Sequence, residues 1–454
     1  MIFNNVFFIF CFLPLSILLF QYLPTARLKN FSLLCMSLLF YAWNNPISLI
    51  LLLLSLAWNY CSGLQLDLET DTKKRKLIFW ISVLFNLGIL SIYKFAGLWF
   101  EQADTLMIPM GLSFFTFTSI SYLADVYTSR TMAQKNWLSF SLYISFFGKM
   151  AMGPIVPYHE MASQLEAKPL QKENLGEGLA LFTKGLIKKV LLADSFARLF
   201  TILAINQSVV GTWLYAISYM LQIYFDFSGY SDMAIGISRI FGFQIRPNFN
   251  HPYIAKNIQD FWRRWHISLS QWFRDYVYIP LGGNRQGTKK YIRNILIVWL
   301  CTGIWHGTNW TFIVWGFYYA FFLLLEHFWL KKYLDKCPRI LQHLYTLMVV
   351  LIGWVFFMSP DLTSASQTLM RMFGVQAQGF VNQEALYILT SHLILFLLGI
   401  LFSSTIYDRI RIYLFNSFKN SMIDLSVLVY SICFIVCIAF LIGSTYQSFL
   451  YGAF

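Results

Sequence analysis

The chain has 454 residues, 57% of them hydrophobic and only 12% charged, with a mean hydropathy of +0.57. A soluble domain carries about 25% charged residues, and no water-soluble globule could hide this much apolar surface, so a set of soluble domains is excluded and a polytopic membrane protein is expected. The formal charge of +13 lies in short loops between apolar runs, which reads as membrane topology and phospholipid contact before nucleic acid.

The N-terminus, M-I-F-N-N-V-F-F-I-F, has no basic region and no small-residue cleavage motif, and reads as a retained first span rather than a cleaved signal. A helical span needs about 20 apolar residues. The first run, 6–23, ends at Pro24 and the basic Arg27 and Lys29. Residues 30–66 carry no charge and are broken by N-N-P at 44–46, a turn signal that predicts two short spans. They return the chain to K-K-R-K at 73–76, so both basic loops fall on the cytoplasmic side and the N-terminus outside. Residues 77–100 cross outward to E-Q-A-D at 101–104, and 108–124 cross back. The stretch 137–158 contains F-F-G-K-M-A-M-G-P-I-V-P-Y. Its glycines, prolines and Lys149 rule out a simple lipid-facing helix and predict a re-entrant or broken one.

Later apolar runs are 179–203 (interrupted by Lys184, Lys188 and Lys189), 209–225, 295–325, 340–359, 385–407 and 425–450. The predicted architecture is all-α: an integral membrane protein with roughly 11–12 membrane segments, some re-entrant or broken. It reads as one polytopic domain over 1–454, with N-terminal helices in 1–135, a motif-bearing core in 136–360 and C-terminal helices in 361–454. No internal repeat is evident, so the inverted symmetry of many transporters has no support. Cys11, Cys35, Cys61, Cys301, Cys337, Cys433 and Cys437 form no C-x-x-C pair and read as small hydrophobes.

Residues 246–293 stand apart, with nine basic residues against two acidic. Within them Phe261, Trp262, Trp265, Leu269, Trp272 and Phe273 recur at three- and four-residue spacing. That spacing predicts an amphipathic helix ending near Pro280, with Arg263, Arg264 and Arg274 mostly off the apolar stripe. Such a helix suits the cytoplasmic interface. It either lies on anionic lipid or attracts a phosphate-bearing donor such as a coenzyme A thioester, with Arg285 and Asn284 of the glycine-rich turn as further phosphate-binding candidates. Walker and dinucleotide-binding motifs are absent, so ATP and NAD have little basis.

His306 lies in C-T-G-I-W-H-G-T-N-W, within the uncharged run 294–325. A titratable side chain at span depth is a functional candidate by default. Gly303 and Gly307 would let a backbone or substrate come close; the other reading is a core histidine bonded to a helix carbonyl. His266 is the next candidate, with a structural role equally open. Trp265, Trp305, Asp260 and Asn309 are candidates to line a passage open to acyl carrier on one face and alcohol on the other. His159, His251, His327, His343 and His392 read as structural. There is no nucleophile elbow, no metal-ligand spacing, and Cys301 is not at helical spacing from His306. What remains is an imidazole acting as general base on an alcohol, a role that contributes about 10² to 10⁴ in rate.

D-F-W-R-R-W-H-I-S-L-S-Q-W-F-R-D-Y-V-Y-I-P-L-G-G-N-R at 260–285 and T-G-I-W-H-G-T-N-W-T-F-I-V-W-G at 302–316 resemble the membrane-bound O-acyltransferase family. P-M-G-L-S-F-F-T-F-T-S-I-S-Y-L-A-D-V-Y, M-G-P-I-V-P-Y and Y-F-D-F-S-G-Y-S-D-M-A-I-G resemble its bacterial branch, the alginate O-acetyltransferase proteins. The likeness runs from about residue 3 to 360. It departs at F-F-G-K-M-A-M-G-P-I, where Lys149 marks a different lining of the donor tunnel. The resemblance implies that His306 is the catalytic histidine and His266 the second functional position. It implies a bacterial inner-membrane enzyme with no tightly bound cofactor or metal. The implied donor is acetyl-coenzyme A on the cytoplasmic side; the implied acceptor is an extracytoplasmic polysaccharide or a secreted partner that relays the acyl group. D-alanyl or lipid O-acyl transfer is the nearest alternative. A transporter or exporter using His306 as a proton relay is the alternative from another class.

Overall fold

The computed structural model describes residues 1–43, 45–96, 108–165 and 170–443. Asn44 of the N-N-P turn, the acidic stretch 101–104, and the ends of two apolar runs (97–100 and 444–450) fall outside them. The described residues hold helices and connecting turns, with no strand. They fall into two compact units. One comprises 1–186, 230–247 and the chain from Leu441; the other comprises 187–229 and 248–440.

The first unit begins with α1 (Phe8–Tyr22), α2 (Ala26–Ala42), α3 (Pro46–Leu68), α4 (Thr72–Phe95) and α5 (Leu112–Tyr127). Turn residues stop and start them. Thr25 Oγ1, Asn45 Oδ1 and Asp71 Oδ1 accept from the first free N–H groups of α2, α3 and α4, as N-caps do. Almost all of α5 is buried, so its apolar run faces protein rather than lipid. The stretch expected to be re-entrant or broken is broken. Helix α6 (Trp137–Ser145) stops at Phe146, whose ψ of 118° leaves the helical region, and a single turn, α7 (Phe147–Met150), follows. The freed backbone is satisfied internally, with Phe147 N donating to Ser37 Oγ and Tyr143 Oη donating to Val156 O. Lys149 is 3% exposed, with its ammonium 4.6 Å from the Tyr143 ring centroid. Gly111 has φ +70°, and a Cβ there would collide with Met150 O, so this crossing admits only glycine. Helix α8 (Lys172–Ile187) closes the segment.

The second unit uses α9 (Asp194–Leu203), the first part of α10 (Val209–Ile240), α11 (Ile258–Arg264), α12 (Ile267–Phe273), α13 (Thr288–His306), α14 (Trp310–Leu325), α15 (Arg339–Met358), α16 (Leu362–Met372), α17 (Gln383–Ser391), α18 (Leu393–Ser403) and most of α19 (Ile406–Gly443). Lys189, read as an interruption of an apolar run, is the centre of a buried ion cluster. Its ammonium lies 2.6 Å from Asp226 Oδ1 and 2.8 Å from Asp194 Oδ1.

Among the described residues, five helices are long and apolar enough to cross a membrane, or six if the bent pair α17–α18, kinked by 59°, counts as one span. Roughly 11–12 segments were expected from apolar runs. The difference has a physical cause. Helices α2 and α5 have 17 and 16 residues, short of a full hydrocarbon crossing on their own. Helix α10 is long but diluted by Ser, Gly and Asp. Apolar runs in this chain also line buried protein, not only lipid.

Candidate active site

The amphipathic stripe is real, but the helix expected to carry it is not continuous. Phe261, Trp265, Leu269, Trp272 and Phe273 are buried as the spacing predicts, and Trp262 is half-buried. The chain leaves helical geometry at Trp265 (ψ 128°), and His266 sits at φ 43°, ψ 57°, in the left-handed region. A residue with a Cβ costs about 1–3 kcal/mol there and persists only where its surroundings over-determine it. Here the loop before α11 does so. Asn248 O accepts from Ile267 N, Asn248 Oδ1 accepts from Ser268 N at 3.0 Å, and Asn250 N donates to Arg264 O. Asn248 Oδ1 also lies 3.3 Å from His266 Nδ1.

Glu326, buried at the end of α14, fixes the other end of α11. Its carboxylate accepts from Ile258 N at 2.7 Å, Gln259 N at 3.1 Å and Tyr345 Oη at 3.1 Å. It thus satisfies helix donors that have no intrahelical partner. In the sequence Glu326 is one acid beside His327, and nothing local marks it as a cap for a helix 68 residues upstream.

His306 closes α13. Helices α13 and α14 meet backbone to backbone: a Cβ on Gly303 would lie 2.6 Å from Phe312 O, and one on Gly316 would lie 2.5 Å from Trp299 O. Two glycines, one on each helix, therefore set the approach that brings Trp315 to His306. The ring centroids are 5.1 Å apart at 87°. Trp305 at 4.5 Å and Phe357 at 4.9 Å complete an aromatic box, and His306 is 4% exposed. His266 is 2% exposed, edge-on to Phe227 at 4.7 Å.

One aromatic lattice joins the two histidines. From His266 it runs through Phe227 and Phe249 to Trp265, then through Trp354 and Phe357 to His306, with neighbouring centroids 4.7–5.5 Å apart. Several polar atoms in and around it are buried without a hydrogen-bond partner among the described residues: His266 Nε2, Trp262 Nε1, Trp315 Nε1, Trp354 Nε1 and Tyr319 Oη. Buried polar groups in native proteins are nearly all paired, so a donor-rich interior of this kind is suited to a polar ligand or ordered water.

The other sequence candidates divide. Trp265 and Trp305 belong to the lattice. Asp260 is half-buried and takes the Arg264 guanidinium at 2.9 Å. Asn309 is exposed at the turn into α14 and donates to Pro360 O at 3.1 Å. Arg274 is held by its neighbour Asp275 at 2.7 Å. Arg263, Arg285 and Asn284 are exposed. The remaining histidines meet protein groups: His159 with Asp125, His251 with Asp408, His343 with Ala255 O, His327 against Tyr291 and His392 with Ile388 O.

The family model described as "MBOAT, membrane-bound O-acyltransferase family" matches residues 12–365. The chain is 37% identical over 392 residues to the protein named probable alginate O-acetylase of Azotobacter vinelandii, covering 82% of this chain and 78% of that one. It is 35% identical over 422 residues to a peptidoglycan O-acetyltransferase of Helicobacter pylori, covering 83% and 80%. A teichoic acid D-alanyltransferase of Bacillus subtilis is 30% identical over 270 residues, 55% of this chain and 68% of that one. A multi-pass chain that is helical throughout its described turns and spans, a family match over most of its length and acyl-transferring relatives agree: the chain is a membrane O-acyltransferase and belongs to the membrane-bound O-acyltransferase family.

Proposed function

We propose that the chain is an O-acetyltransferase. It carries an acetyl group from a cytoplasmic thioester, acetyl-coenzyme A, to a hydroxyl of an extracytoplasmic polysaccharide or of a partner that relays the group, with His306 as general base. The observation that carries the acetyl reading is the relatives named for O-acetyl transfer, which match over 82–83% of the chain, whereas the D-alanyl relative matches 55%. The same family membership weighs against a transporter.

A ring nitrogen of His306 takes the hydroxyl proton as the alcohol oxygen attacks the thioester carbonyl carbon. The C–O bond forms, the C–S bond breaks, and the proton passes from His306 to the leaving thiolate. No ATP is needed, since a thioester already exceeds an ester in transfer potential. The aromatic box around His306 excludes water that would otherwise compete as acceptor. Because Asn248 Oδ1 accepts from a backbone N–H, it is an acceptor toward His266 as well. His266 Nδ1 therefore carries the proton, and Nε2 presents a lone pair that orients the donor. Arg263 and Arg285, exposed in the basic segment, are suited to the phosphates of coenzyme A.

The test supplies radiolabelled acetyl-coenzyme A to membranes carrying the protein and follows label into base-labile esters on surface polymer. His306→Ala stays in the membrane and loses transfer by about 10² or more. Undiminished labelling by that variant would end the reading. Solute flux without any acyl donor would favour a transporter instead.

A further inference from the structure

We infer that Trp315 is a further catalytic residue, whose indole N–H donates to the oxyanion formed on the thioester carbonyl. The inference rests on the acyl-transfer reading above. Attack by the alcohol pushes the carbonyl electron pair onto oxygen, and acyl-transfer sites meet that charge with donors fixed before the reaction. His266 is poorly placed to supply one, because its proton is on Nδ1 toward Asn248 and its Nε2 is an acceptor.

Trp315 has what is missing. It is 1% exposed, its Nε1 has no hydrogen-bond partner among the described residues, and its ring stands 5.1 Å from that of His306. Its neighbours are Trp262, Trp299, Tyr319 and Phe357 as well as His306, a nearly all-ring environment that holds the indole in place. The glycine crossing at Gly303 and Gly316 fixes the residue next to Gly316 against the end of α13. In this arrangement the indole N–H takes up the oxygen of a thioester carbonyl attacked by an alcohol on His306. When the tetrahedral intermediate collapses, the C–S bond breaks, the oxygen reverts to a carbonyl and the N–H is released unchanged.

The experiment compares the purified full-length protein with Trp315→Phe, Trp213→Phe and His306→Ala. It measures kcat and KM for acetyl-coenzyme A, and the affinity for a non-transferable thioether analogue. Rates are taken per analogue-binding site, so misfolded protein is not counted. Phenylalanine keeps a ring and removes the N–H donor along with part of the indole's volume, so analogue affinity is read beside kcat to separate a loss of fit from loss of the donor. Trp315→Phe is expected to lose about 10² to 10³ in kcat with KM and analogue affinity little changed, as for deletion of one oxyanion donor. Trp213→Phe, which deletes an indole N–H that donates to Met372 O outside the aromatic lattice, should retain kcat within about threefold. A kcat for Trp315→Phe within about threefold of wild type, or an equal fall in Trp213→Phe, overturns the inference. If His306→Ala is inactive in that case, the acyl-transfer reading stands without Trp315; if His306→Ala is active, both fall together.

Discussion

At His266 the backbone is held at φ 43°, ψ 57°, a conformation the imidazole does not choose for itself. The two histidines were legible in the sequence because W-R-R-W-H and W-H-G are short motifs with polar residues where apolar ones would cost nothing. The strain was not legible, because it is imposed by Asn248, 18 residues upstream, in a stretch that looks like an ordinary turn. Backbone and side chain should therefore separate on substitution. His266→Gly relieves the left-handed strain and should unfold at or above the wild-type temperature, yet lose activity. His266→Val adds a β-branched side chain at positive φ and should be less stable than the glycine variant by about 1–3 kcal/mol. Thermal unfolding in detergent, read beside acetyl transfer, checks both. A glycine variant with full activity would leave the imidazole without a role.

Among the elements, spacing foretold the buried stripe of Phe261, Trp265, Leu269, Trp272 and Phe273 but not the break that divides it into α11 and α12. Periodicity reports which face is apolar; it does not report a loop 248–250 that captures the backbone between two turns. Glu326 and the Lys189–Asp194–Asp226 cluster were missed for the same reason, since each becomes meaningful only through partners distant in sequence. The cluster lends itself to test. Lys189→Met leaves two carboxylates buried without their cation and should cost about 3–5 kcal/mol. Adding Asp226→Asn should recover part of that, giving a coupling well outside additivity in a double-mutant cycle. Strictly additive losses would mean that the three groups do not act together. The α13–α14 crossing is equally exacting: Gly303→Val puts atoms where Phe312 O already lies. It should part His306 from Trp315 and lower transfer by about 10² or more, while surface expression persists.

For the whole molecule, the membrane class followed from composition, and the family from motifs that structure and relatives then supported. Among the described residues, fewer helices are long and apolar enough to cross a membrane than there are apolar runs in the sequence. An apolar run of about 20 residues is the signature of a lipid crossing, yet buried helices such as α5 carry the same signature while facing protein. The interior that results is an aromatic lattice with orphan N–H and O–H groups around two histidines, in a chain otherwise given to apolar contact. In the proposed reaction an acetyl group passes directly from thioester to hydroxyl, with His306 taking the hydroxyl proton. The most direct measurement reconstitutes the purified protein in sealed vesicles with acetyl-coenzyme A in one compartment and a hydroxyl acceptor in the other. Thiol release and ester formation are then followed together. The wild-type protein should release one thiol for each ester formed, and His306→Ala should do neither above background. Ester formation at the wild-type rate by His306→Ala would contradict the account.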